Sequence, residues 1–360
     1  MDVELVTDVE AVQGFVGGWD ALAGRVQLPR ASGTMVAAWA RRMMDPVSEL
    51  RVWIATEGAD VVAVLPFVSE PMARGRVRLI PPATDMMFGV VPVVDPDHAD
   101  DAIAAVAAAI AARAEPVDMA SLYWLPHGSP WSTALHGVFP EPEWVAIKTT
   151  DYHAWYTELG KSQDDWLQTR GGEFRRTVRR RARRLEEQGF RVVTIVDPAE
   201  IKARLSRVQS LYQSRKMERG GEGYRFDDGM IGAIEDVLET SGTVQLRLSV
   251  VERGELLVGA SLAVRAEARM SCWLTGFDSE WSRLGPGIAA LLEALDAGGR
   301  SGCLVADLGV GDQSYKDEFQ DAAFPLESLT WCRPRLARLL QLGAPGTSQQ
   351  GQTQGASGGG

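Results

Sequence analysis

Two stretches of the chain carry the same pattern of apolar and polar positions. LRVWIATEGADVVAVLPFV, from Leu50, lies without a gap over LRLSVVERGELLVGASLAV, from Leu246, a displacement of 196 positions that aligns Arg51 with Arg247, Gly58 with Gly254 and Val62 with Val258. In each copy, runs rich in Val, Leu and Ile flank a glycine-bearing turn, the pattern of a β-hairpin. Each copy is then followed by a helix-period segment and a short apolar strand: Asp101–Arg113 with Val117–Trp124, and Ile288–Ala297 with Cys303–Leu308. The order of elements therefore repeats along with the residues.

The second half reads as helices over Ile201–Lys216 and Gly229–Thr240, a meander of three strands ending in Arg269–Gly276, then a helix and a strand. A short helical turn near Tyr315–Phe319 and a last strand, Leu326–Trp331, complete it. A helix that crosses over between two strands of one sheet makes those strands parallel, so a mixed, mostly antiparallel sheet flanked by helices is expected. The segment Lys148–Thr169 is mixed and polar, and it places a boundary near Asp151–Gly160. The expected units are 1–155, 156–342 and a Gly/Ser/Gln-rich tail, 343–360, with too few apolar residues to order itself.

The chain has 360 residues, 45% of them hydrophobic and 24% charged, which suits two ordinary globular domains. Its formal net charge of −11 argues against generic nucleic-acid binding. Cys272, Cys303 and Cys332 are too widely spaced for a zinc motif and odd in number, so they read as buried small apolar residues. The four histidines have no ligand spacing, so no metal is expected, and no phosphate-loop or nucleophile-elbow motif is present. Trp53, Trp124, Trp273 and Trp331 fall on predicted strands and read as core. The N-terminus lacks a secretory pattern and the longest apolar run, Ala102–Ala112, is too short to span a bilayer, so a soluble, cytoplasmic protein is expected.

Three segments carry candidate chemistry. Arg283, Gly285, Pro286 and Gly287 precede the second crossover helix. Free N–H groups at a helix start favour an anion, and the two glycines allow a diphosphate to come close. Pro286 suits the first helical turn and leaves Gly287 and Ile288 as donors; the competing reading is a plain glycine-bearing helix start. The first copy is the internal control, since its helix is preceded and opened by Asp95, Asp97, Asp100 and Asp101, which repel phosphate.

The strand containing Asp307 opens into Gly309, Gly311, Asp312, Tyr315 and Lys316. There Asp307 or Asp312 is a candidate base, Lys316 a candidate oxyanion partner and Tyr315 a candidate acid, against a reading as turn, cap and solvated lysine. The third segment, RRTVRRRARRLEEQGF, reads as an amphipathic helix docked through Phe174, Val178, Ala182 and Leu185. Its arginines, Arg179, Arg180 and Arg183 among them, are either a phosphate-binding face or a solvated one.

These segments resemble the CelD-like branch of the GNAT acetyltransferases, related to the FemAB aminoacyl transferases. The arginine helix, the strands around GELLVGASL and FDSEWSRLGPGIAALLEAL through GCLVADLGVGDQSYKDEF carry the resemblance over roughly Trp166–Trp331. It implies an α/β (α+β) tandem GNAT-like fold and acyl transfer from acyl-CoA to an amine of a sugar, cell-envelope precursor or small metabolite. By it, the Gly285–Gly287 turn receives the diphosphate, the pantetheine arm lies between splayed strands, and Lys316 stands near the acyl carbonyl. Two alternatives stay open: an aminoacyl-tRNA-dependent transferase whose arginine helix holds tRNA, and a non-catalytic binding module.

Overall fold

The computed structural model describes residues 1–86, 90–113, 117–218, 226–240, 242–311 and 315–343. Its strands are β1 (Asp2–Val6), β2 (Glu49–Glu57), β3 (Asp60–Met72), β4 (Arg76–Ile80), β5 (Val93–Val94), β6 (Met119–Pro126) and β7 (Val145–Glu158). They continue with β8 (Arg191–Ile195), β9 (Gln245–Arg253), β10 (Leu256–Ala266), β11 (Arg269–Phe277), β12 (Val305–Val310) and β13 (Ala322–Cys332). The repeat seen in the sequence is exact at its centre, because β2 and β9 start and end 196 positions apart. Gly58 (φ 61°) and Gly254 (φ 56°) make the two hairpin turns in the left-handed region, where a β-carbon is disfavoured.

The strands form one 13-stranded mixed sheet in the order β1-β2-β3-β4-β6-β13-β7-β12-β11-β10-β9-β8, with β5 pairing to β3 off this path. Pairing β1 with β8, β2 with β9, β3 with β10, β4 with β11, β6 with β12 and β7 with β13 makes that order a palindrome. The halves are thus related by an approximate twofold, and each lends its last strand to the other: β7 pairs with β12 and β13 with β6. The segment expected to hold a boundary instead contributes β7, a central strand that continues through 155 and 156 and pairs with both β12 and β13.

Helix Ala99–Ala111 lies on β2 and β3, and helix Pro286–Arg300 occupies the equivalent place on β9 and β10. On the opposite face one apolar cluster runs through both halves, from Trp19, Met35 and Ile54 to Ile234, Leu248 and Leu262. The expected helix over Ile201–Lys216 is two pieces, Pro198–Lys202 and Leu205–Glu218. The arginine helix spans Gly172–Glu187 and docks through buried Val178 and Leu185 and half-buried Phe174, while Ala182 is exposed. Trp53, Trp273 and Trp331 are core residues and all three cysteines are buried and free. Trp124 departs from the expectation: it is half-buried and lines a cavity.

Candidate functional site

The two parallel pairs of the sheet are short. β11 and β12 pair only over Arg269–Ser271 and Val305–Asp307, although β11 continues to Phe277 and β12 to Val310. β4 and β6 pair over two positions, Arg78 with Met119 and Leu79 with Ala120. Beyond such a pairing the strands separate, leaving main-chain groups available to a ligand.

After β11 a 3-10 turn, Ser279–Leu284, leads to Gly285, which takes φ 64° and ψ 47° and stands immediately before helix Pro286–Arg300. No side chain caps this helix, Pro286 has no N–H to satisfy, and Gly285 O accepts from Ala289 N at 3.0 Å. The N–H groups of Gly287 and Ile288, in the first turn, thus receive no side-chain cap. A β-carbon on Gly287 would lie 2.8 Å from the Phe277 ring, and one on Gly259 would lie 2.6 Å from Pro286 O, so small residues allow the helix start to seat against β10 and β11. A β-carbon on Gly285 would meet the Arg181 side chain at 3.0 Å. Arg181 is thus the cation over the glycine turn, whereas Arg283 is exposed.

The arginines expected to bind phosphate stand elsewhere. Arg180 and Arg183 are exposed, and Arg179 pairs with Asp164 at 3.2 Å across a well-solvated gap. Between the arginine helix and helix Pro286–Arg300 is a cavity of about 400 Å³, lined by Val178, Leu185, Phe190, Ile288 and Leu292 with Arg181 and Gly285 in its wall. Glu293 also lines it, and burial raises its carboxyl pKa against the pull of Arg300 and Thr194.

A second cavity, about 210 Å³, lies where the halves meet. Asp307, on β12, is buried at its polar end. Asp307 Oδ2 accepts from Arg30, which the first half supplies from the short turn Pro29–Ala31, and from Ser271 Oγ at 3.4 Å. Asp307 Oδ1 accepts from Gly309 N at 2.7 Å. Tyr156, the register partner of Asp307 on β7, completes this end, with the Arg269 guanidinium 4.3 Å from its ring centroid. Burial raises the Tyr156 pKa and the Asp307 charge adds to it, so the phenol remains a donor at neutral pH.

Lys316 is buried, and Nζ donates to the carbonyls of Gly309 (3.2 Å), Val310 (3.0 Å) and Gly311 (3.2 Å). An ammonium has three N–H groups, so these contacts assign Lys316 to holding the end of β12 rather than to the oxyanion contact expected of it. Tyr315 stands at the N-cap position of the short helix Lys316–Phe319, with its ring edge-on to that of Phe319 at 5.7 Å. Asp312 lies outside the described residues. Asp307 is the expected residue that the structure does bring into a site, beside three that the sequence did not single out: Arg30, Tyr156 and Ser271. Cys272, next to Ser271, has its thiol pushed up to about 12, first by burial and then by Asp307, which removes it as a nucleophile. Among the described residues no group of His, Cys, Asp and Glu is arranged to hold a metal ion, and no helix is long and apolar enough to cross a membrane.

Several solved structures share this fold. FemX is 12% identical with a TM-score of 0.65, covering 94% of this chain and 99% of its own. A C-terminal domain described as that of a lysylphosphatidylglycerol synthetase from Agrobacterium fabrum is 13% identical with a TM-score of 0.56, covering 92% and 94%. A conserved protein of unknown function from Bacteroides thetaiotaomicron is 12% identical with a TM-score of 0.53, covering 91% and 96%. At such identities the likeness is one of fold. No curated protein matches the chain. Residues 172–317, which carry the arginine helix, the glycine turn, Asp307 and Lys316, match the family described as an acetyltransferase (GNAT) domain.

Proposed function

We propose that the protein transfers an acyl group from acyl-CoA to a primary amine, the class that covers an amino sugar, a cell-envelope precursor or a small metabolite. The observation that carries this reading is the coincidence, within the matched segment, of strands that part after Ser271 and Asp307 with an uncapped helix start behind Gly285. The separated strands offer main-chain groups to a pantetheine arm, and the helix start offers Gly287 and Ile288 N–H to a diphosphate, with Arg181 above and Arg283 beside it. In this reading the second half, 156–342, binds the acyl carrier, the first half, 1–155, contributes Arg30 and one wall of the central cavity, and β7 runs across the boundary between them.

In the transfer the neutral amine attacks the thioester carbonyl. The C–N bond forms as the C–S bond breaks, and the proton lost by nitrogen ends on the departing sulfur, leaving an amide and free CoA. The protein supplies mainly placement. A carboxylate offers about four acceptor directions, and Asp307 fills three of them with Arg30, Ser271 and Gly309, so one is left to orient the amine. Tyr156 is a donor beside it.

Acetyl-CoA at a hundred times its dissociation constant should stabilise the protein by about 2.7 kcal/mol, seen as a rise in melting temperature, and an amine should then release free thiol. No rise with acetyl-CoA or any longer acyl-CoA would contradict the reading. The exposed arginines Arg176, Arg180, Arg183 and Arg184 favour a second one, an aminoacyl-tRNA-dependent transfer. It requires tRNA binding that weakens steeply with added salt.

A further inference from the structure

The central cavity has two chemically different ends. Arg30, Tyr156, Ser271 and Asp307 gather at one, whereas most of the remaining wall is apolar, including Val91, Val93, Leu125, Leu326, Trp124 and Trp131. At about 210 Å³ it lies below the range of roughly 300–1,000 Å³ that holds a drug-sized ligand.

Trp124 sits here in an unusual way. It is an aromatic residue inside a strand with φ 57°, a left-handed conformation that side chains other than glycine rarely adopt. The β6–β13 register shifts at this point, between Leu122 with Leu329 and Leu125 with Glu327, and Trp124 N donates to Ser328 Oγ at 3.3 Å. The resulting bulge packs the indole against Ala154, Val310 and Leu326, on β7, β12 and β13. Bulges and strained residues of this kind re-aim side chains at ligand sites.

We infer that the central cavity is the acceptor site and that its ligand is a small amine with an apolar body, nitrogen at Asp307 and body against Trp124. The inference rests on the acyl-transfer reading for the fate of the amine, though not for its binding. Asp307 is the one carboxylate among the residues lining this cavity, and with Arg30, Ser271 and Gly309 on three of its roughly four acceptor directions it can still accept from an N–H of the ligand. A sugar would bring several hydroxyls against walls with few hydrogen-bonding groups, and buried polar groups without partners are disfavoured. The acceptor class thereby narrows from sugars and envelope precursors to apolar amines.

The probes are 2-phenylethylamine and glucosamine, tested on the full chain by calorimetry without donor and by N-acetyl product formation with acetyl-CoA. The variant is Trp124→Gly, which suits the backbone at φ 57° and removes only the indole. Phenylethylamine should bind, should be acetylated with a kcat/KM at least tenfold above that of glucosamine, and should show a KM at least tenfold higher in the variant while acetyl-CoA binding is unchanged. Acetylation of glucosamine at an equal or higher kcat/KM, or a phenylethylamine KM unmoved by Trp124→Gly, would overturn the inference and leave acyl transfer standing. Phenylethylamine binding that weakens in the variant, in a protein that binds no acyl-CoA, would uphold the acceptor cavity and discard the transfer.

Discussion

The starts of the two crossover helices occupy equivalent places in the two halves and are built with opposite electrostatics. In the first half Asp95 accepts from Asp97 N at 3.1 Å and pairs with Arg25 at 3.1 Å, while Asp100 and Asp101 fill the first turn of helix Ala99–Ala111. The carboxylates stabilise the positive end of the helix from within the chain. Neither helix has a side-chain cap, since His98 and Gly285 stand at the two N-cap positions, but the second has no acidic residue in its first turn and Arg181 lies over it. The first helix start thus carries negative charge from its own sequence, whereas the second carries none and has a cation beside it. A duplicated scaffold can thus keep its packing in both copies while a few positions reverse the charge at the helix start.

The substitution that should erase this contrast most strongly is Gly285→Asp. It places a carboxylate against Arg181 and recreates the acidic start of the first half. Acetyl-CoA affinity should fall roughly 100-fold, about 2.7 kcal/mol by titration calorimetry. Gly285→Asn, which tolerates the left-handed backbone and is uncharged, should lose much less. Equal losses would mean that crowding, and not charge, distinguishes the halves.

A smaller effect is expected from Lys316→Met, which removes the donor from three carbonyls at the end of β12. Hydrogen bonds to a charged group contribute about 1.5–3 kcal/mol each in mutational series, offset here by relief of a buried charge, so a net loss of about 2 kcal/mol in urea unfolding is expected. Turnover should fall further than acetyl-CoA affinity, because Asp307 and Gly309 share the loosened strand end. A variant with full turnover would show that the strand end needs no such tie.

The smallest effect belongs to the first half. Asp95→Ala removes a cap and the partner of a half-exposed arginine, at a cost of about 1 kcal/mol in thermal or urea unfolding. It should leave acetyl-CoA binding untouched. A change in that affinity would join the two helix starts functionally and break the comparison.

Much of the scaffold was legible because it rests on local periodicity. The hairpins around Gly58 and Gly254 and both crossover helices follow from alternation and helical spacing within short windows. The exchange of β7 and β13 was not legible, since it depends on pairing between distant segments. The β7 segment itself looks polar because it borders the cavity with Tyr156 and pairs its edges with strands of both halves. The site shows the same division. Asp307 and the Gly285 turn stand in recognisable local contexts, whereas Arg30 reaches Asp307 from 277 positions away and carries no motif of its own. Lys316 is conspicuous by its position after the glycines, whereas its burial and its three carbonyl partners are tertiary facts. Trp124 gave no sign of its bulge, which the register of β6 against β13 creates.

We propose above all that the helix start behind Gly285 receives the diphosphate of an acyl carrier. A crystal structure of the protein with bound acetyl-CoA tests it directly. Diphosphate oxygens within hydrogen-bond distance of Gly287 and Ile288 N–H, with Arg181 on the same group, are predicted; a diphosphate bound anywhere else, the start of helix Ala99–Ala111 included, would contradict the account.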